Sequence, residues 1–369
     1  MGSRLFTRPS PALVLALAAA AVWIALPIPE RTPTGSPVGP AVRSVAEEWP
    51  GTTPAEFLGT FFDGTPFTPL LYLDELTVVA TAPTPDGERV RLVVYTPGEE
   101  ARELATLSAD DAPGFTAVAA DDERIVWTQT VPDAKGVART GIWTAPAGLA
   151  EAEAVRVTAD TGDALFTGSQ YDLQIAGGSV HWAAGTRGSA PATELRSHPL
   201  SGGETTTVTL EGEFAWSAWP YAVSNGGAAG EGVLLADMAA ENTTVIPVET
   251  GALATCTPVW CRVLALGMAG PGGTELMRTD GSQRRRIADE RTSAAVPDPM
   301  LLDRFEVLLD VSAADADGQP LLIFDQVSGK TLLVASDARI VRARGATVWW
   351  STGDEETLKW HALNLARLE

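Results

Sequence analysis

Histidine is nearly missing from this chain, with three in 369 residues. His181, His198 and His361 lie far apart, and none has a second histidine or a carboxylate beside it at metal-ligand spacing. Structural or surface roles follow, and no metal or other cofactor is expected. The chain also lacks a His-Glu-x-x-His pair, a Gly-x-Ser-x-Gly elbow and a phosphate-binding glycine loop. The enzymatic route left open is a site assembled from loops that are distant in sequence. Positive charge is scarce as well: Lys and Arg total 26 against 47 Asp and Glu, for a formal net charge of -21. So acidic a surface repels phosphate backbones, which removes nucleic acid from the expected partners.

Long apolar runs are limited to one, Ala12 to Leu26, preceded by Arg4 and Arg8 and closed by Pro27 and Pro29. Extended by its flanks, the run approaches the minimum for a membrane span. Small residues suited to cleavage are poorly placed at Ile24-Ala25-Leu26-Pro27. Residues 1–28 therefore read as an uncleaved signal anchor, N-terminus in the cytoplasm, with Trp23 near the outer interface. The alternative is a cleaved signal peptide and a secreted product. No cysteine lies near the end of the run, which argues against a bacterial lipoprotein anchor. Prolines at 27, 29, 33, 37, 40, 50 and 54, mixed with Gly, Ser and Thr, predict an extended linker over residues 29–55.

The propeller candidate spans residues 56–369; after residue 63 helical periodicity is nearly absent, and strand-like runs alternate with turn signals such as Pro85-Asp86-Gly87, Gly202-Gly203 and Asp280-Gly281. One unit recurs seven times, and its second strand is the most apolar. These strands centre on Val78, Trp127, Trp182, Tyr221, Cys261, Val307 and Trp349, at a mean spacing of about 45 residues. That spacing predicts an all-β propeller of seven four-stranded blades, with six as the alternative count. The last unit supplies three strands, Arg339 to Ala343, Ala346 to Ser351 and Thr357 to Leu365, and then stops. A strand from the N-terminal side, within Phe61 to Tyr72, is expected to complete it. Glu56 to Phe62 is an apolar cluster that reads equally as a short helix or a first strand.

The second half of the unit is clearest in TELMRTDGSQRRRIA (274–288), TELRSHPLSGGETTTVTL (193–210) and PLLIFDQVSGKTLLVA (320–335). This strand, Asp-Gly or Gly-Gly turn, strand pattern resembles the half-blade of TolB-type propellers and their WD-repeat-like relatives. Thr84-Pro85-Asp86-Gly87 is the nearest echo of the Trp-Ser-Pro-Asp-Gly turn of TolB. The resemblance implies a scaffold whose relatives mostly bind proteins or peptides on the rims and mouth of the ring, with enzymes a minority.

Several residue groups are candidates for chemistry or binding. Cys256 and Cys261 are the two cysteines of a chain read as exported, and a Pro-containing turn separates them. A local disulfide is expected, with a redox pair as the alternative. Trp216, Trp219 and Tyr221 crowd around Pro220 and form the candidate binding surface, aromatic packing between blades being the competing role. In Trp349-Trp350, strand alternation leaves one ring free to face solvent. Asp121, Asp122 and Glu123 form one carboxylate cluster, and Asp310, Asp315 and Asp317 form another with a faint likeness to a calcium loop. A solvated hairpin turn is the expected reading of the second, and a carboxylate pair for acid and base work stays open. Arg284, Arg285 and Arg286 fit an outer blade strand, or the docking of an anionic partner.

Function then has two expected forms. One is a membrane-tethered, extracytoplasmic, non-catalytic scaffold for a protein, peptide or glycan. The other is an exported hydrolase or lyase with carboxylates converging at the mouth of the ring.

Overall fold

A computed structural model describes residues 42–148, 153–188, 190–224, 232–267, 270–314 and 318–369, with backbone alone for 265–267, 270 and 271. Residues 1–28, most of the linker, Asp315 and Asp317 fall outside the described residues. Among the described residues no helix is long and apolar enough to cross a membrane.

Residues Val42–Glu369 form a compact unit of seven antiparallel sheets. After a helical turn, α1 (Val45–Glu48), and a strand, β1 (Ala55–Leu58), the blades follow in chain order. Blade 1 contains β2 (Thr68–Tyr72), β3 (Val78–Pro83), β4 (Arg89–Tyr95) and β5 (Arg102–Ser108). Blade 2 contains β6 (Val118–Ala120), β7 (Arg124–Pro132), β8 (Ala138–Pro146) and β9 (Val155–Thr158). In blade 3 the first strand is split into β10 (Asp163–Ala164) and β11 (Leu173–Ala176), followed by β12 (Ser179–Gly185), β13 (Ala192–Pro199) and β14 (Thr206–Glu211). Blade 4 is β15 (Phe214–Trp216), β16 (Tyr221–Ser224), β17 (Val233–Asp237) and β18 (Asn242–Ile246). Blade 5 is β19 (Ala252–Cys256), β20 (Trp260–Gly267), β21 (Gly270–Arg278) and β22 (Arg285–Ala288). Blade 6 is β23 (Thr292–Ala294), β24 (Phe305–Asp310), β25 (Gln319–Asp325) and β26 (Lys330–Ala338). Blade 7 joins β27 (Val341–Arg344), β28 (Thr347–Thr352) and β29 (Lys359–Asn364) to β1.

All seven anchors read from the sequence fall on the second strand of a blade. These strands are near-continuous in apolar character because both of their faces are covered. In β3, Val78 and Ala80 pack toward blade 7 while Val79 packs toward blade 2. The described hydrophobic core is accordingly seven wedges, one between each pair of neighbouring blades. The same geometry corrects the expectation for Trp349-Trp350. Both are 2% exposed, Trp349 in the wedge with blade 1 and Trp350 in the wedge with blade 6, because this second strand is covered by a neighbouring blade on each face.

Ring closure occurs as expected in kind but not in place. The completing strand is β1, and its register runs Phe57 against Trp360 and Leu58 against Lys359. The stretch Phe61 to Tyr72 instead enters blade 1, where β2 is the first strand. Alternation explains the choice: Phe57 is buried while Glu56 and Leu58 face out, so β1 suits a half-covered edge. Gly59 then passes so close to Leu358 that an added Cβ would lie 2.7 Å from its carbonyl oxygen. The chain upstream is also docked, although an extended linker was expected there. Its run from Ala41 to Trp49 lacks proline, and Ser44 with Glu47 forms a capping box that starts α1. Val45 is buried between blades 6 and 7, and Glu48 pairs with Lys330 at 2.6 Å.

Candidate functional site

First strands line the ring axis, and blade 3 interrupts its own. β10 pairs with the end of β12 and β11 with its start, so Phe166 to Asp172 bulges out between them. Inside the bulge Asp172 holds the turn, accepting hydrogen bonds from the Thr167 amide (2.6 Å), the Gly168 amide (2.7 Å) and the Thr167 hydroxyl (3.0 Å). Gly168 has φ +87°, a backbone that a side chain would strain. The tip reaches the opposite side of the ring. Ser169 Oγ and the Gln170 amide donate to the Asp298 carboxylate of blade 6 at 2.6 and 2.8 Å. From blade 7, Arg344 Nη2 donates to the Ser169 carbonyl at 3.2 Å, and the Gly345 amide donates to Gln170 Oε1 at 2.8 Å.

Asp298 is positioned by a second set of buried polar groups. Glu306, fully buried, accepts from Arg262 Nη1 at 2.6 Å and from the Met300 amide at 2.9 Å, while Arg262 Nη2 donates to the Pro297 carbonyl. Met300, Leu302 and Asp303 all take positive φ, strain that persists only where the surroundings fix it. Burial pushes the carboxyls of Asp172 and Asp298 up, against their hydrogen bonds. Burial likewise brings the Arg344 guanidinium down to about 10, despite the attraction of Asp172 and Asp298, so it stays charged at neutral pH.

Two recesses adjoin the crossing segment. Ser169, Tyr171, Trp216, Ser217 and Asp298 help to line a cavity of about 160 Å³. An open cup of about 910 Å³ is lined by Gln170, Tyr171 and Arg344 together with Tyr72 and residues of β11. Its rim is formed by turns joining first to second and third to fourth strands, and it carries exposed Asp74, Glu99, Asp121 and Asp122.

The candidate aromatic surface lies near this cup. Trp216 and Trp219 meet at 5.3 Å between ring centroids, and Trp219 stacks on His181 at 3.9 Å. Trp216 is buried in the wedge between blades 3 and 4, whereas Trp219 is 42% exposed, its amide held by Gln174 Oε1 at 3.0 Å. Tyr221 opens β16 half-buried, outside that stack. His181 donates from Nε2 to the Ala176 carbonyl at 3.1 Å, and burial lowers its pKa. His198 faces the Thr205 hydroxyl and His361 the Thr352 hydroxyl, so each is absorbed locally. Among the described residues no three His, Cys, Asp or Glu side chains are grouped to hold a metal.

Cys256 and Cys261 form a disulfide and face each other in register across the β19–β20 hairpin, both buried. The arginine run is taken up by the protein itself: Arg284 pairs with Glu249 and Glu275, Arg285 lies 4.8 Å over the Phe324 ring, and Arg286 pairs with Glu290. Asp310 accepts from the Ser312 amide, and Asp121 from the amides of Glu123 and Arg124, as turn-capping carboxylates do. Asp172, Asp298 and Arg344 were not singled out in the sequence. The signal for them was spacing: Trp127 to Trp182 is the longest anchor interval, and a polar run, Thr167 to Gln170, interrupts a first strand.

No protein-family model and no curated protein matches the chain. Among solved structures it is similar to a puromycin-hydrolyzing peptidase of Mycobacterium tuberculosis, at 12% identity over 86% of this chain and 56% of that one, with a TM-score of 0.51. It is also similar to the β-propeller domain of the Trilobed protease of Pyrococcus furiosus, at 10% identity over 68% and 83% of the two chains and TM-score 0.45. A third is the WD40 domain of SCAP from fission yeast, at 10% identity over 89% and 92%, TM-score 0.38. At these identities the likeness is one of fold.

Proposed function

We propose that this protein is a non-catalytic binding propeller, tethered to the membrane outside the cytoplasm, that takes a protein or peptide partner at the cup. The observation that carries this reading is the crossing segment. It helps to line the cup and ties up the interior carboxylates in doing so. Every oxygen of Asp172 and Asp298 already accepts a hydrogen bond from residues 167–170. General acid or base work needs a carboxyl within reach of a substrate proton, and these two act as clamps instead. An apolar anchor and an extended linker at the N-terminus would hold such a recess away from the bilayer.

The competing reading, a hydrolase or lyase, would use the same two carboxyls, whose raised pKa values are its support. Photo-crosslinking separates the readings. With p-benzoylphenylalanine at Asp122 on the cup rim, irradiation of cells should give discrete adducts, and at Val208 on the outer strand β14 it should give none. Equal labelling from both positions, or none from Asp122, would contradict a binding face at the cup.

A further inference from the structure

Each blade ends in an outer strand whose far edge pairs with no further strand of its sheet. Such edges are templates for a new strand, and folded chains guard them with charge or cover them. Six of the seven are guarded here. Charged side chains stand on them, among them Glu56 in β1, Glu103 in β5, Arg156 in β9, Glu211 in β14, Arg286 in β22 and Lys330 in β26. On β26 the chain also covers its own edge, where the Leu333 amide donates to the Arg43 carbonyl at 2.9 Å and Ser44 bridges Leu333 in parallel. The exception is β18, Asn242-Thr243-Thr244-Val245-Ile246, which carries no charged residue. Its first four residues are all exposed, Val245 at 58%, so neither face of the strand is covered there.

Charge decides what can lie against this edge. In a chain of -21, a cationic partner gains more on any acidic face than on a neutral strand, whereas a second copy is repelled except where it meets no charge. Paired antiparallel about Thr244, two copies of β18 set Thr244 against itself, Thr243 against Val245 and Asn242 against Ile246. Exposed Glu241 then falls against Pro247, so no like charges stand opposite each other. Four of the five residues are β-branched, the class that suits a paired strand. We infer that β18 is a self-association edge, through which a second copy of this chain joins blade 4 to blade 4 in one continuous sheet about a two-fold axis. The pairing would hold two cups in one particle, and it does not depend on what either cup binds.

Disulfide trapping in the purified full chain tests the inference. Cys256 and Cys261 are already joined to each other, so an introduced cysteine is the one free thiol. Residues directly opposite in an antiparallel pair have Cα atoms about 4.5 or 5.5 Å apart, within disulfide reach. Under mild oxidation Thr244→Cys should give a cross-linked dimer about tenfold faster than Thr207→Cys, whose site is an exposed threonine on the outer strand β14. Adding Val245→Lys to Thr244→Cys should slow the reaction to the Thr207→Cys rate, because a lysine guards an edge against pairing. All three variants should melt as the parent does, the altered side chains being exposed. Equal rates for the two cysteine variants, or no dimer from Thr244→Cys, would overturn the inference. An unchanged or faster reaction on adding Val245→Lys would overturn it as well, since collision rather than strand pairing would then bring the thiols together.

Discussion

Blade 7 and blade 3 both break the four-strand rule, in opposite directions. Blade 7 is short of a strand and takes β1 from the far end of the sequence, through main-chain pairing and an apolar wedge in which Phe57 meets Tyr72 at 5.8 Å. Blade 3 has a surplus, which leaves its sheet, packs Phe166 and Tyr171 against the wedges on either side of the blade, and is tied to blades 6 and 7 by polar contacts. Apolar closure governs whether the ring exists. Polar crossing governs what the ring encloses. Variants at the two places should therefore fail differently.

The largest effect is expected at closure. Phe57→Ala removes a 5%-exposed ring from the wedge between blades 7 and 1, and should cost about 3 to 5 kcal/mol in chemical denaturation. A loss under about 1 kcal/mol would mean that β1 is an ornament on an already closed ring. A smaller effect, of the opposite physical kind, is expected from pH near the crossing segment. Burial lowers the His181 pKa below 6.5, so the folded state binds fewer protons than the unfolded state. Its contribution is present above the unfolded value and is lost as pH falls through the folded one. Between pH 7.5 and 5.5 the parent should lose more stability than His181→Asn. Parallel melting curves for the two proteins would show that His181 titrates as it does in the unfolded chain.

How legible each region was in the sequence follows from the same contrast. The blades could be counted because each second strand is covered on both faces, which leaves runs such as RIVWTQT and TVWWSTG without the polar alternation of a solvent-facing strand. The missing strand of blade 7 was visible as a deficit, but its donor was misplaced. Phe61 and Phe67 are as apolar as Phe57, and all three end up in one wedge, so hydrophobicity could not choose among them. Trp349 and Trp350 were misjudged because alternation tells which way a side chain points, not whether a neighbouring blade stands there. The crossing segment was illegible for a further reason. Ser169 and Asp298 are bonded across 129 positions of sequence, and neither has a local pattern that names the other. Only the long interval before Trp182 marked the place. The cup's chemistry depends on that bond, so a sequence that displays its scaffold openly conceals its site.

Hydrogen–deuterium exchange over residues 165–175 tests the central claim, that Phe166 to Asp172 is a fixed segment rather than a free loop. The amides of Thr167, Gly168 and Gln170, each donating to a carboxylate, should exchange about as slowly as those of the neighbouring strand β12. Asp298→Ala, which removes the anchor of Ser169 and Gln170, should speed exchange across the segment while leaving β12 protected. Complete exchange of the segment in the parent protein at the earliest time point would contradict the account.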